Sequence, residues 1–192
     1  VTAVSTPTSD NSTNYTFHSD EAGTISYSGG CSSSTTSATA DNNTITFNAL
    51  ADNTYNNCKI TVTDSSGNAS NNLQVSSFRI DTTAPTLSQI TAVSTPTGDN
   101  TPDYTFNSNE AGVITYGGSC IGEFPSGHAN AGQRKENAVA DNNTITLQRT
   151  NGSVLTDGTT YSDCKISVTD NASNTSDNLT VNTFTVDVTP PT

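Results

Sequence analysis

Carboxylates dominate the reactive side chains of this 192-residue chain, with 18 Asp and Glu against 6 Lys and Arg. Asp20 and Glu21 form an adjacent pair. Neighbours on a turn are solvated more readily than they are poised on either side of a reacting group, which acid–base work requires. The two histidines, His18 and His128, sit in different surroundings, and the position equivalent to His18 in the repeat described below is Asn107. Four cysteines, Cys31, Cys58, Cys120 and Cys164, lack both the C-x-x-C spacing and the partner histidines of a zinc site. Their even number points instead to two disulfides and an oxidising compartment. A phosphate-cradling Gly-rich loop with its following Lys is also missing. The expectation is therefore that the chain is not an enzyme. Its acidity argues against a nucleic-acid partner, which calls for a basic stripe, and against adsorption to anionic lipid.

Apolar residues make up 30% of the chain, which is low for a globular protein and raises the question of disorder. No apolar run approaches 18 residues, so no membrane-spanning helix is expected. The sequence does not begin with Met and shows no signal peptide, and the expectation is a mature chain or a fragment.

The elements that position these residues come in two copies. VTAVSTPTSDNSTNYTFHSDEAGTISYSGGC (1–31) matches ITAVSTPTGDNTPDYTFNSNEAGVITYGGSC (90–120) at a constant offset. ADNNTITF (40–47) matches ADNNTITL (140–147), CKITVTD (58–64) matches CKISVTD (164–170), and NLQVSSFRIDTTAPT (72–86) matches NLTVNTFTVDVTPPT (178–192). Self-similarity at this period indicates tandem domains rather than a solenoid of short repeats. The predicted division is 1–84 and 85–192, with enlarged loops at 121–137 and 148–160 in the second copy.

Within a copy, Tyr15/Phe17, Ile25/Tyr27, Ile45/Phe47 and Ile60/Val62 each stand two apart, the period of a half-buried strand. Turn formers such as SDEAG, ADNN and TDSSGN separate them. The predicted strands of the first copy are 2–5, 15–19, 24–28, 44–48, 58–63 and 73–80. Short strands without helical periodicity predict an all-β fold of two antiparallel β-sandwiches. The last strand changes phase: Leu73 and Val75 share one face, Phe78 and Ile80 the other. A bulge or bend near Ser76–Ser77, and near Asn182–Thr183 in the second copy, would keep all four residues inward.

TYNNCKITVTDSSGN (54–68) and DTTAP (81–85) resemble the bacterial Ig-like repeats of long cell-surface adhesins. The resemblance covers both copies and implies tandem Ig-like sandwiches. Tyr55 and Tyr161 look like the tyrosine-corner residue before strand F, although they stand three residues before the cysteine where antibody domains use two. In an Ig-like sandwich the strands around Cys31 and Cys58 are neighbours, so the implied bridges are Cys31–Cys58 and Cys120–Cys164. The same topology carries Asp81 toward the end of the next module that holds Glu110 and Asp170. Calcium-stiffened joints occur in similar adhesin repeats, and a calcium ion at Asp81, Glu110 and Asp170 is expected on that ground, since hard cations take six to eight oxygens.

A carbohydrate-binding module is the rival reading. Such modules present aromatic faces, whereas Trp is absent and Tyr15, Phe17 and Tyr27 fall at core-phase positions. The insertion 121–136 carries Phe124, His128, Arg134 and Lys135, and Arg149 follows in the second extended region; these five form a candidate contact surface. Nine N-x-S/T sequons, at Asn11, Asn14, Asn42, Asn68, Asn142, Asn151, Asn171, Asn174 and Asn178, are candidate glycan sites. The expected role is extracellular and mechanical: spacing and presentation in a stalk, adhesin or filament. Further copies or adjacent repeats, stacked head to tail, are the expected partners, because an open head-to-tail contact propagates.

Overall fold

Period-two patterning produces strands with one apolar face. In β1 (Asn14–Ser19), Tyr15 and Phe17 turn inward and their neighbours turn out. The computed structural model describes residues 1–122 and 136–191. The chain divides into two units, Val1–Thr83 and Ala84–Thr192.

In the first unit β1 is followed by β2 (Gly23–Ser28), β3 (Ser37–Ala38), β4 (Asp41–Thr46), β5 (Asn53–Tyr55), β6 (Lys59–Thr63), β7 (Leu73–Gln74) and β8 (Phe78–Ile80). β1 pairs antiparallel with β4, placing Tyr15 opposite Ile45. The facing sheet has the order β3-β2-β6-β7, and β5 pairs with β8. Tyr15, Phe17, Ile25, Ile45, Phe47, Ile60, Val75, Phe78 and Ile80 are buried together. Burying each such side chain contributes about 1.5–3 kcal/mol, and these terms drive the sandwich to form despite the polar composition.

The predicted last strand 73–80 is two strands. β7 pairs with β6, Leu73 opposite Ile60, whereas β8 pairs with β5, Phe78 opposite Tyr55. The break falls at Ser76–Ser77, as the phase change demanded, and Val75, Phe78 and Ile80 are all buried with Leu73 packed against them. In the second unit Leu179 and Val181 precede the same break, with Phe184 and Val186 after it.

The first segment departs from the predicted strand 2–5. It touches the β1–β4 sheet and then the β5–β8 pair: Thr2 bridges Thr16 antiparallel, and Thr8 bridges Ile80 in parallel. The Thr6–Pro7 peptide bond between these contacts is cis, as is Thr95–Pro96. Strand β4 also begins three residues earlier than predicted. Asn43 explains this: its amide accepts from the Thr39 N–H at 2.8 Å and donates to the carbonyls of Thr39 and Asp41 at 2.9 Å, so the ADNN turn is built around it. Asn143 does the same work with Val139 and Asp141.

The second unit contains β9 (Leu87–Thr91), β10 (Asp103–Ser108), β11 (Gly112–Gly117), β12 (Cys120–Gly122), β13 (Glu136–Ala138), β14 (Asn142–Arg149), β15 (Thr160–Tyr161), β16 (Lys165–Thr169), β17 (Leu179–Thr180) and β18 (Phe184–Thr185). Its sheets are β12-β14-β10-β9 and β13-β11-β16-β17, with β15 paired to β18. The enlarged region 121–137 is therefore not loop throughout. It leaves through β12, which lines up with the end of β14, and returns through β13, which pairs with β11.

Gly29 and Gly118 have φ of 83° and 81°, and a Cβ on either would collide with a backbone oxygen, of Asn57 or Asp163 respectively. Only glycine permits both the left-handed backbone and the close approach. That approach draws the segment after β2 or β11 against the residue preceding Cys58 or Cys164. The disulfides Cys31–Cys58 and Cys120–Cys164 follow, with Cα–Cα distances of 5.4 and 5.2 Å.

Candidate functional site

The carboxylates fall into three structural roles. The first is organising the loop after β6 and after β16. Asp64 accepts the N–H groups of Ser66 and Asn68 on Oδ1, both at 2.8 Å, and the Asn68 amide on Oδ2 at 2.9 Å. Asp170 repeats the arrangement with Ala172, Asn174 and the Asn174 amide at 2.8, 2.9 and 2.9 Å. These bonds, the Asn68 side chain first, hold the Asp64 carboxyl below the ordinary carboxylate range. The left-handed position in this loop is Gly67 in the first unit and Ser173, with φ of 74°, in the second.

The second role is clamping the tail of each unit. Asp52 Oδ1 accepts from the Thr82 N–H at 3.0 Å and the Thr82 hydroxyl at 2.8 Å, and Oδ2 accepts from the Thr83 hydroxyl at 2.8 Å. Asp157 accepts from the Val188 N–H at 2.9 Å and the Thr189 hydroxyl at 2.5 Å. Thr82 and Val188 are equivalent in the repeat, as are Thr83 and Thr189. Asp52 stands three residues before Tyr55, whereas Asp157 stands four before Tyr161. Alignment of the copies therefore does not reveal the shared role, and sequence reasoning missed both. A carboxylate shortly before the corner tyrosine was the available signal. Hydroxyl donation, from Thr82 and from Thr189 respectively, lowers both carboxyl pKa values.

The third role concerns the expected metal ligands. In the first unit Asp81 follows β8, donates its N–H to Thr8 at 3.0 Å, and lies 2.9 Å from the Arg79 guanidinium. In the second unit carboxylate oxygens of Glu110 and Asp170 lie within 4.8 Å of one another, close enough to share a cation. The donor set is sparse. Three of the roughly four lone-pair sites of Asp170 already accept loop hydrogen bonds. A hard cation here would draw most of its six to eight oxygens from backbone carbonyls and water.

The corner tyrosines anchor the approach to strands β6 and β16 by different bonds. The Tyr55 hydroxyl donates to the Ala51 carbonyl at 2.9 Å, while the Tyr161 hydroxyl accepts from the Thr156 N–H at 2.9 Å. The core-phase aromatics are buried as predicted: Tyr15, Phe17, Tyr104 and Phe106. Burial pushes the Tyr104 phenol up to about 12. Tyr27 is half-buried, and its hydroxyl donates to the Thr35 carbonyl at 2.6 Å. His18 is exposed on β1, opposite Asn42.

Of the expected contact surface, Phe124, His128, Arg134 and Lys135 lie outside the described residues. Arg149 is exposed at the end of β14, opposite Cys120. Sequons Asn11, Asn14, Asn42, Asn142, Asn151, Asn171 and Asn178 are exposed. Asn68 is exposed as well and Asn174 is half-buried; each donates from its amide nitrogen to the loop carboxylate, Asp64 or Asp170, at 2.9 Å.

No family model and no curated protein matches the chain. Among solved structures, the fibronectin(III)-like modules of CbhA from Clostridium thermocellum align with 96% of this chain and 93% of that one, at 11% identity and a TM-score of 0.42. The likeness concerns β-sandwich modules and, at that score, carries no argument about function.

Proposed function

We propose that the chain is an extracellular structural segment of a bacterial surface adhesin, stalk or filament, giving spacing and presentation, with further repeats stacked head to tail. One observation supports this most. In each unit the entering and leaving segments lie side by side and parallel. Thr8 donates to Arg79 and accepts from Asp81 at 3.1 and 3.0 Å; Thr97 donates to Thr185 and accepts from Asp187, both at 2.9 Å. The Arg79 N–H also donates to the Thr6 hydroxyl at 2.9 Å, and the Thr185 N–H to that of Thr95 at 3.2 Å. Tension applied along the chain pulls these two segments in opposite directions, so the bonds are sheared together rather than peeled one at a time. Such an arrangement suits a module that holds its length under load. The paired cysteines and the resemblance to adhesin repeats agree with a location outside the cell.

Single-molecule pulling tests the reading. Thr8→Pro removes the donor to Arg79, and Thr6→Val removes the hydroxyl acceptor. Either change should lower the unfolding force of the first unit and leave the second unchanged. Unaltered forces in both variants would show that the parallel pair does not resist load.

The calcium ion expected at Asp81, Glu110 and Asp170 belongs to the same reading. Its support within the second unit is the approach of Glu110 to Asp170. If thermal stability is the same with EDTA as with calcium, the metal is not part of the protein.

A second reading, a glycan- or surface-ligand module, has its own observation. Cys120–Gly122 pairs with Leu147–Arg149, so the two enlarged regions leave the second unit from adjoining strands. Deleting 123–135, which leaves β12 and β13 in place, should then abolish ligand capture on a glycan array and leave the fold intact. Equal capture by both chains would remove this reading.

A further inference from the structure

The two copies tie down their entering segments differently. In the second unit the Asn182 side chain reaches back to Val93. Its oxygen accepts the Val93 N–H at 2.9 Å, and its nitrogen donates to the Val93 carbonyl at 2.8 Å. One carboxamide thus satisfies both main-chain groups of a residue, as a paired strand would. Further along the same two segments, Thr185 donates to the Thr95 hydroxyl, Thr97 donates to Thr185, and Asp187 donates to Thr97. The first unit keeps those three bonds: Arg79 to the Thr6 hydroxyl, Thr8 to Arg79, and Asp81 to Thr8. It lacks the other two. Val4 stands where Val93 does and is buried like it, but Ser76 replaces Asn182. Among the described residues, neither main-chain group of Val4 has a protein partner. Val4 lies between the pairings of Thr2 and Thr8, so this difference does not depend on what precedes Val1.

We propose that Asn182 is a latch that the first unit lacks, so that the stretch from Val4 to Thr8 detaches more readily than the stretch from Val93 to Thr97. Each detachment withdraws one valine from its core, so that cost is alike in the two units. The hydrogen bonds are not alike: five hold the second stretch and three hold the first. Local opening costs only what the released contacts supply, and two additional bonds shift such an equilibrium by roughly tenfold. The position of the latch follows from the chain path. Asn182 sits at the break between β17 and β18, where the strand leaves one sheet and a side chain can turn toward the entering segment. Serine at the same break preserves the bend and leaves the segment untied. The two units therefore form a graded pair, the first opening at its entering segment while its paired strands stay folded.

The latch acts on the parallel pair that the load-bearing reading uses, but it is an equilibrium property and is read without force. Its test is amide exchange followed by NMR on the full chain and two variants. Asn182→Ser should speed exchange about tenfold at Thr97 and Asp187. Amides in the middle of the β10–β14 pair, and those of the first unit, should keep their rates. Ser76→Asn should slow exchange about tenfold at Thr8 and Asp81, and should protect the Val4 N–H, which has no partner in the parent chain. Acceleration spread evenly over the second unit in Asn182→Ser would make Asn182 a general support of the fold and overturn the latch. Unchanged exchange at Thr97 and Asp187 in that variant, or at Thr8 and Asp81 in Ser76→Asn, would overturn it as well. The load-bearing reading fails on a different result, unaltered unfolding forces in Thr8→Pro and Thr6→Val.

Discussion

Reducing the disulfides should lengthen the two units by different and calculable amounts. Cys31 and Cys58 are 27 residues apart and Cys120 and Cys164 are 44 apart, with Cα–Cα distances of 5.4 and 5.2 Å. The bridge hides the intervening chain from tension even after a unit unfolds. At roughly 3.3–3.6 Å per extended residue, the hidden lengths are about 90 Å and about 150 Å. The difference corresponds to 17 residues (44 − 27), so all of the second copy's additional residues lie inside its bridge. Pulling single chains in an optical trap, first oxidised and then with reductant, reads these increments directly. Two unfolding steps should each grow, one by about 60 Å more than the other. The reasoning fails if reductant leaves both steps unchanged or lengthens them equally. Chain entropy also predicts a stability loss of about 3.6 kcal/mol for the first unit and about 4 kcal/mol for the second. Either loss is a large share of the 5–15 kcal/mol typical of a folded domain, so mild denaturant should unfold the reduced units first.

Hydrogen bonds to the ionised form hold the Asp52 and Asp157 carboxyls below their ordinary value of 3.8. Their folded pKa values lie below the unfolded ones, so their contribution is complete above the unfolded value and disappears as pH falls through the folded value. Amide exchange at Thr82 and Val188 should therefore accelerate in acid below that range, and Asp52→Asn should flatten the response at Thr82 alone. A Cβ at Gly67 would have nothing within 4 Å, so Gly67→Ala should cost only the backbone penalty of its positive φ, about 1 kcal/mol by urea unfolding. Ser173→Gly should gain less than this, because glycine loses more freedom on folding.

Most of the sandwich was legible because its signals are local and doubled. Alternating apolar residues placed β1, β2 and β6 to within a residue, and the phase change at Ser76–Ser77 marked the break between β7 and β8. Cysteine pairing was implied once the strand neighbours were known. The features that escaped are those whose partners are distant or misaligned. Nothing in TAVSTPT announces that Thr2 faces Thr16 while Thr8 faces Ile80. The Asp52 and Asp157 clamps hid behind a one-residue shift. Asn43 and Asn143 read as ordinary turn formers, yet their amides determine where β4 and β14 begin. The carboxylates singled out for metal were the conspicuous ones, and the structure shows Asp170 largely occupied by its own loop.

The contact of Thr8 with Ile80, and of Thr97 with Val186, also has a consequence for timing. These are among the longest-range pairings in each unit, and a pairing cannot form before its later partner exists. A chain delivered from its N-terminus would hold its first segment open until the last strand arrived. Closure of such non-local contacts is slow compared with local turns. Each unit would thus be sealed by its final residues, and the first could be complete before the second was delivered.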